Sequence, residues 1–203
     1  MTPTLAPIIT DLSQLDPNER YTYADYLSWK FTELVELIRG KALRKMSAPT
    51  SVHQECSMNF SGLLKPYLKG KQCRVFAAPF DVRLLRSTGT GDDQIQTVVQ
   101  PDLCVVCDPA KIDRRGCLGD PDWIIEIVSP STANHDIHTK FDLYAENGVR
   151  EYWIVLPGER AVLTYALEGE TYQARGDFYE PGLIPSHTLP ELQIQWADVF
   201  ENV

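Results

Sequence analysis

The sequence predicts an α/β (α+β) domain with a mixed central sheet flanked by helices and with β-hairpins added toward both ends. Two patterns and the composition point there. DPDWIIEIVSP, HDIHTKFDLYAEN and REYWIVLP read in succession as strand, helix and strand, an order that requires a crossover and makes the sheet partly parallel. VELIRGKALRKM and, later, AVLTYAL with ETYQARG carry hairpin patterning about Gly-containing turns. With 203 residues, 43% hydrophobic and 23% charged, the chain can bury a substantial core without disulfides, and it fits one elaborated domain better than two.

Taken in order, residues 1–20 are weakly patterned and read as an N-terminal arm, which could dock on a partner subunit, and residues 21–203 as the single domain. TYADYLSWK is a short helix opened by Thr22, and VELIRGKALRKM an edge hairpin folded about Arg39-Gly40-Lys41. From Thr50 to Leu68, apolar residues at Val52, Cys56, Phe60, Leu63, Leu64 and Tyr67 keep the spacing of an amphipathic helix capped by Ser51 or Thr50, with Pro66 in its last turn. CRVFAAPFDVRLL and TVVQPDLCVVCD are strand-like, and STGTGDDQ between them has the composition of a mobile loop. The helix HDIHTKFDLYAEN ends at Asn147-Gly148, AVLTYAL and ETYQARG turn about Glu168-Gly169, and a short segment around WADVF closes the chain.

Composition excludes some functions and leaves others open. Cys56, Cys73, Cys104, Cys107 and Cys117 are odd in number and scattered, which suits a reducing compartment and free thiols. No basic start followed by an apolar stretch opens the chain, and no apolar run reaches the length of a membrane span, so the cytoplasm is the expected location. The net charge of −9 repels polyanions overall. Any phosphate contacts must therefore come from local clusters, for which Arg39, Lys41, Arg44 and Lys45 are candidates.

The chemistry concentrates in one strand. Alternation in WIIEIV puts Glu126 on one face with Ile124 and Val128, while Trp123, Ile125 and Ile127 take the other. A carboxylate in the middle of a buried strand is costly unless a cation or donors compensate it. Asp102 follows Pro101 in the preceding strand; if the two strands are neighbours, both carboxylates converge on one hard cation, Mg2+ or Mn2+. Lys140 lies on one helical face with Asp136 and Tyr144, and its amine can swing over the end of the sheet toward a metal-bound water.

Plainer explanations compete at each position. Asp102 can be a strand-entry turn acid, Glu126 the partner of a buried Arg, and Lys140 the surface partner of Asp136. Cys104 and Cys107, three apart in a strand, face opposite sides, and no second pair completes a zinc set. His135 and His138 fit a solvated helix start, and Trp123, Tyr152 and Trp153 fit strand core.

Pro101-Asp102 followed by Glu126 in a hydrophobic strand resembles the PD-(D/E)xK nuclease superfamily with its restriction-endonuclease-like fold. ELIRG, the SVHQ helix start, QPDLCVV, IIEIVSPST and a D-x-x-x-K leading into YAENGVREYWIV are closer to one branch, the Uma-type restriction endonucleases, over most of residues 21–200. The resemblance implies a sheet core flanked by helices, a metal held by Asp102, Glu126 and the carbonyl of Ile127, and a lysine that positions or activates water. Val128 stands where the superfamily has its lysine, and the branch's lysine corresponds to Lys140 on the following helix. Glu36, an acid sharing a strand face with Leu34 and Ile38, and His53 near the start of the long helix match further positions of the branch motif. The implied activity is Mg2+-dependent cleavage of DNA by a homodimer, whose two-fold symmetry suits a duplex. Two other readings fit the same residues: a non-catalytic binding or regulatory module on the nuclease fold, and a phosphodiesterase for RNA or small nucleotides.

Overall fold

The structure, a computed structural model, describes residues 8–45, 50–85, 89–128 and 133–203, the side chains of 133–137 excepted. The chain begins with α1 (Tyr23–Ser28), the hairpin β1 (Val35–Ile38) and β2 (Lys41–Arg44), and α2 (Ser51–Tyr67). Short strands dominate the middle: β3 (Arg74–Ala77), β4 (Val82–Arg83), β5 (Val98–Val99), β6 (Leu103–Val106), β7 (Ile112–Asp113), β8 (Gly116–Leu118) and β9 (Trp123–Ile127). Then follow α3 (Ala133–Glu146), β10 (Glu151–Leu156), β11 (Ala161–Glu168), β12 (Thr171–Phe178), β13 (Leu183–Pro185), β14 (Gln193–Gln195) and α4 (Trp196–Val199).

The central sheet runs β12-β11-β10-β9-β6-β3. Within it β9 and β10 are parallel, as the strand, helix, strand order requires, and α3 makes the crossover. Their neighbours pair antiparallel, which gives the mixed sheet that was expected. A second sheet runs β2-β1-β5-β4-β8-β7, and β13 with β14 forms a third.

Local signals place the helices. Thr22 accepts from Asp25 N–H while the Asp25 side chain takes the Thr22 N–H, a capping box that starts α1. Thr50, and not Ser51, caps α2 through His53 N–H. Gly148, at φ +83°, ends α3: its N–H reaches the Ala145 carbonyl and Val149 N–H reaches Tyr144, the paired bonds of a Schellman stop. Arg39 and Gly40 alone, both at positive φ, make the turn of the first hairpin, and Lys41 already belongs to β2 at the sheet edge.

The central sheet is covered on both faces. Cys56, Phe60 and Leu64 of α2 pack on Trp123, Ile125, Ile127 and Trp153, and Leu143 and Tyr144 of α3 pack on Ile124, Val128, Tyr152 and Ile154. Burial of each such side chain stabilises the fold by about 1.5–3 kcal/mol, so a strand enclosed on both sides is apolar at every position it can be. Glu126 is the exception within β9.

Several expectations are corrected. CRVFAAPFDVRLL and TVVQPDLCVVCD each read as one strand, yet each divides between the two large sheets: β3 and β6 pair in the central sheet, and β4 and β5 in the second. Pro79 and Pro101 lie in the breaks, where an imino acid gives the ladder no N–H. STGTGDDQ, of which Ser87 and Thr88 lie outside the described residues, is tied down where it is described: Asp92 makes two bonds to the Arg115 guanidinium, at 2.6 and 3.0 Å. Leu34 precedes β1 and is exposed, so Glu36 shares its buried face with Ile38 alone. Cys73 and Cys107 form a disulfide where free thiols were expected. They stand one position beyond the Arg74 and Val106 pair of adjacent strands, a closeness that their separation of 34 residues does not reveal. Cys56, Cys104 and Cys117 are buried and free. β13 and β14 were not foreseen.

Candidate functional site

The site lies at the seam between the two large sheets. Asp102 follows the break at Pro101, as the chain leaves the second sheet and enters the central one. Leu103 pairs with Ile125, so one further step of that antiparallel register sets Asp102 opposite Glu126 on the same face. Glu36 comes from β1 of the second sheet, His53 from the first turn of α2, and Lys140 from α3.

Glu36, His53, Asp102, Glu126 and Lys140 meet here. Lys140 Nζ stands 3.0 Å from Glu126 Oε1 and 3.4 Å from Glu36 Oε1. Tyr144, one turn on, donates to the same Glu126 oxygen at 2.7 Å. Asp102 Oδ2 accepts from Ile127 N–H at 2.8 Å and lies 3.1 Å from His53 Nε2. Glu36 Oε1 also accepts the Gln100 N–H at 2.9 Å. The buried-Arg explanation for Glu126 does not hold, since its cationic partner is Lys140. The pairing of Lys140 with Asp136, and the side chain of His135, fall outside the described residues.

Lys45, Gln100 and Tyr144 complete the site. Lys45 Nζ is 3.2 Å from Asp102 Oδ1 and donates to the Gln100 carbonyl at 2.5 Å. The hairpin register held the signal for it: Glu36 pairs with Leu43, and Lys45, two residues on, takes the same face. Gln100 Nε2 donates to Asp81 Oδ1 at 2.8 Å, linking the site to the start of β4. Of the basic cluster expected to hold phosphate, Arg39 pairs with Glu146, Arg44 with Glu33 and Lys45 with Asp102, and Lys41 donates to the Pro17 and Glu19 carbonyls. Each member of that cluster thus has a partner within the fold.

Protonation follows from burial and charge. For Asp102, burial opposes ionisation, but the His53 hydrogen bond, Lys45 and Ile127 N–H outweigh it and hold the carboxyl well below the usual range. Burial raises Glu126; Lys140 pulls it down, but that lysine is shared with Glu36, and the nearby Asp102 carboxylate adds to the rise. Lys140 loses hydration, yet two carboxylates keep it protonated far above the ordinary lysine value. Burial, then Glu126, raises Tyr144 in the same way.

Among the described residues no three His, Cys, Asp or Glu side chains converge closely enough to hold a metal by themselves. The expected set needs only two, Asp102 and Glu126, with the Ile127 carbonyl. Glu36, Asp102 and Glu126 face Lys45 and Lys140, which leaves an excess of negative charge in a buried, oxygen-rich setting. Among the described residues, the buried His53 Nδ1 has no hydrogen-bond partner. This donor set fits a hard divalent cation.

Cys104 faces one core cluster and Cys107 packs on the other, as a strand requires, and Trp123, Tyr152 and Trp153 are core. No helix among the described residues is long and apolar enough to cross a membrane.

Comparison with known proteins gives the arrangement a context. A Synechocystis protein described as "Uncharacterized protein slr1290" is 25% identical over 142 residues, which cover 69% of this chain and 70% of that one. A crystal structure from Anabaena variabilis ATCC 29413, of a "putative nuclease belonging to DUF820", superposes with a TM-score of 0.69 at 23% identity, over 88% of this chain and 97% of the other. At that identity the likeness establishes the fold. The Uma2 family, described as "Putative restriction endonuclease", matches residues 23–197, which include every side chain of the site, and the chain belongs to that family.

Proposed function

We propose that this chain is a metal-dependent nuclease that hydrolyses phosphodiester bonds of DNA, working as one domain over residues 21–203 and as a homodimer. The observation that carries the reading is the meeting of Glu36, Asp102, Glu126 and Lys140 from four separate elements in one buried, net-negative site. Asp102, Glu126 and the Ile127 carbonyl would hold Mg2+, or Mn2+ in its place. Such an ion supplies Lewis-acid stabilisation of charge that develops on phosphate and eases ionisation of water.

The protein's own groups do the rest. Lys140 stays protonated, so it serves as a fixed positive charge and hydrogen-bond donor at the reacting phosphate, and not as a base. Tyr144 and Glu36 hold it and Glu126 in place. His53 orients Asp102 through Oδ2 and Lys45 through Oδ1. The walls around Glu126 and Lys140 exclude bulk water, which strengthens each of these interactions.

A cytoplasmic location belongs to this reading, and the Cys73–Cys107 bond runs against it. The site does not depend on that bond, because Cys73 and Cys107 lie at the ends of β3 and β6 far from Asp102. The net charge of −9 favours a second reading, a phosphodiesterase for RNA or small nucleotides.

Supercoiled and single-stranded DNA, incubated with Mg2+ or Mn2+ and either wild type or Glu126→Ala, tests the proposal. Metal-dependent cutting by wild type alone is expected. Turnover of small nucleotides without cutting of either polymer would move the assignment to the second reading, and metal binding without any turnover would leave a binding module.

A further inference from the structure

We infer that Lys65, Lys69, Lys71 and Arg74, at the far end of α2 and the start of edge strand β3, bind the phosphate backbone of a polynucleotide led toward the carboxylate site; the inference rests on the nuclease reading and gives it a substrate-holding surface. From Ser57 to Phe80 the chain contains no Asp or Glu, although it has 28 acids in all. These four cations fall inside that stretch and all four are exposed.

The four stand together without an acid among them. On the same protein Arg39, Arg44, Arg115, Arg150 and Arg175 each pair with an acid. Among the described residues none of Lys65, Lys69, Lys71 and Arg74 makes an ion pair. They line a shallow groove whose floor is apolar, with Leu68, Val75 and Phe76 along it. Lys71 is set over the Tyr67 ring, 3.2 Å from its centre, which fixes its position beside the others. A surface with positive charge and no internal counter-ion attracts a polyanion, and release of that polymer's counterions drives binding.

The placement suits a substrate. His53, in the first turn of α2, meets Asp102 and Lys65 lies in the last turn, so the helix separates the strip from the site by about 18 Å along its axis. That distance is roughly five base-pair steps of a duplex. β3 leads back along the same line, from Arg74 beside Val106 to Ala77 beside Leu103, next to Asp102. A plainer role for these cations is to keep edge strand β3 from pairing with another chain. That role predicts a change in self-association and none in polymer binding.

The test replaces all four by glutamine in the full chain (Lys65→Gln, Lys69→Gln, Lys71→Gln, Arg74→Gln), which exposed positions tolerate, with circular dichroism to check the fold. Fluorescence anisotropy follows a labelled 20-base-pair duplex and its single strand in EDTA and in Ca2+ across a salt series. Wild type is expected to bind. The variant should bind at least about tenfold more weakly near 0.1 M salt, with a duplex salt slope shallower by roughly 3 to 4. Cleavage is read in parallel. Binding lost in the variant while neither protein cuts would uphold the strip and end the nuclease reading. Unchanged binding and cutting in the variant would overturn the strip and leave that reading intact. A wild type that binds neither polymer, or a variant altered only in sedimentation, overturns it too.

Discussion

Glu126 and Glu151 are both buried glutamates on neighbouring parallel strands of one sheet, 5% and 2% exposed, yet their surroundings differ in kind. Glu151 is satisfied by neutral donors: Trp153 Nε1 and His187 N–H on Oε1, Ser186 Oγ and Thr188 N–H on Oε2, at 2.6 to 2.9 Å. It pins the segment after β13 to the central sheet. Glu126 instead meets Lys140 and Tyr144 on one oxygen, within a group of acids that outnumber their lysines. A buried acid is therefore no sign of a site. What marks one is an acid whose partners are charged, shared and drawn from several elements, because such a group gains from a further cation whereas Glu151 gains nothing.

The largest effect is expected for Glu126→Ala. Cleavage should fall by on the order of 1,000-fold, worth about 4 kcal/mol of transition-state stabilisation, while calorimetry shows Mn2+ binding lost and the fold kept. Asp102→Ala should behave alike, and a variant at either position that binds Mn2+ as wild type does would remove the basis of the site. Glu151→Ala should do the reverse: it strands four donors, so urea denaturation is expected to register a loss of about 3 kcal/mol, with residual activity tracking the folded fraction. If Glu151→Ala lost activity at unchanged stability, the contrast between the two acids would be broken.

Lys140→Met sharpens the contrast within the site. It should keep Mn2+ binding and lose roughly 100-fold in cleavage, about 2.7 kcal/mol, and full activity would rule out the lysine's role. A smaller effect is expected from pH. The folded Asp102 carboxyl is held below its ordinary value of 3.8, so its contribution to stability is present above that value and is lost as pH falls from there through the lower, folded value. Wild type should therefore lose stability on acidification more steeply than Asp102→Asn, and coincident slopes below pH about 5 would contradict the network around Asp102.

The sequence made some of this legible and hid the rest, for physical reasons. Thr22 and Thr50, the Asn147-Gly148 stop, the Arg39-Gly40 turn and the strand, helix, strand run are local signals, and the elements they mark were readable. The division of CRVFAAPFDVRLL and TVVQPDLCVVCD between sheets was not, since a strand that changes sheets keeps the same apolar pattern. Three-residue strands such as β13 and β14 are too short to show a period. Asp102, Glu126 and Lys140 stood out because their neighbours are apolar or their motif is shared. Lys45 and Gln100 act through tertiary pairing across the seam, and no local pattern around Glu151, at a strand start beside Arg150, marks it as buried.

That seam makes the site a coincidence detector. Glu36 arrives on one sheet and Asp102 with Glu126 on the other, and the bent β3–β4 and β5–β6 segments are the straps that join them. A half-folded molecule, with one sheet formed and the other still loose, has its acids but not their assembly. A chain able to cut phosphodiesters would thus be unarmed until both halves have docked, and on denaturation its chemistry should fail before its helices do.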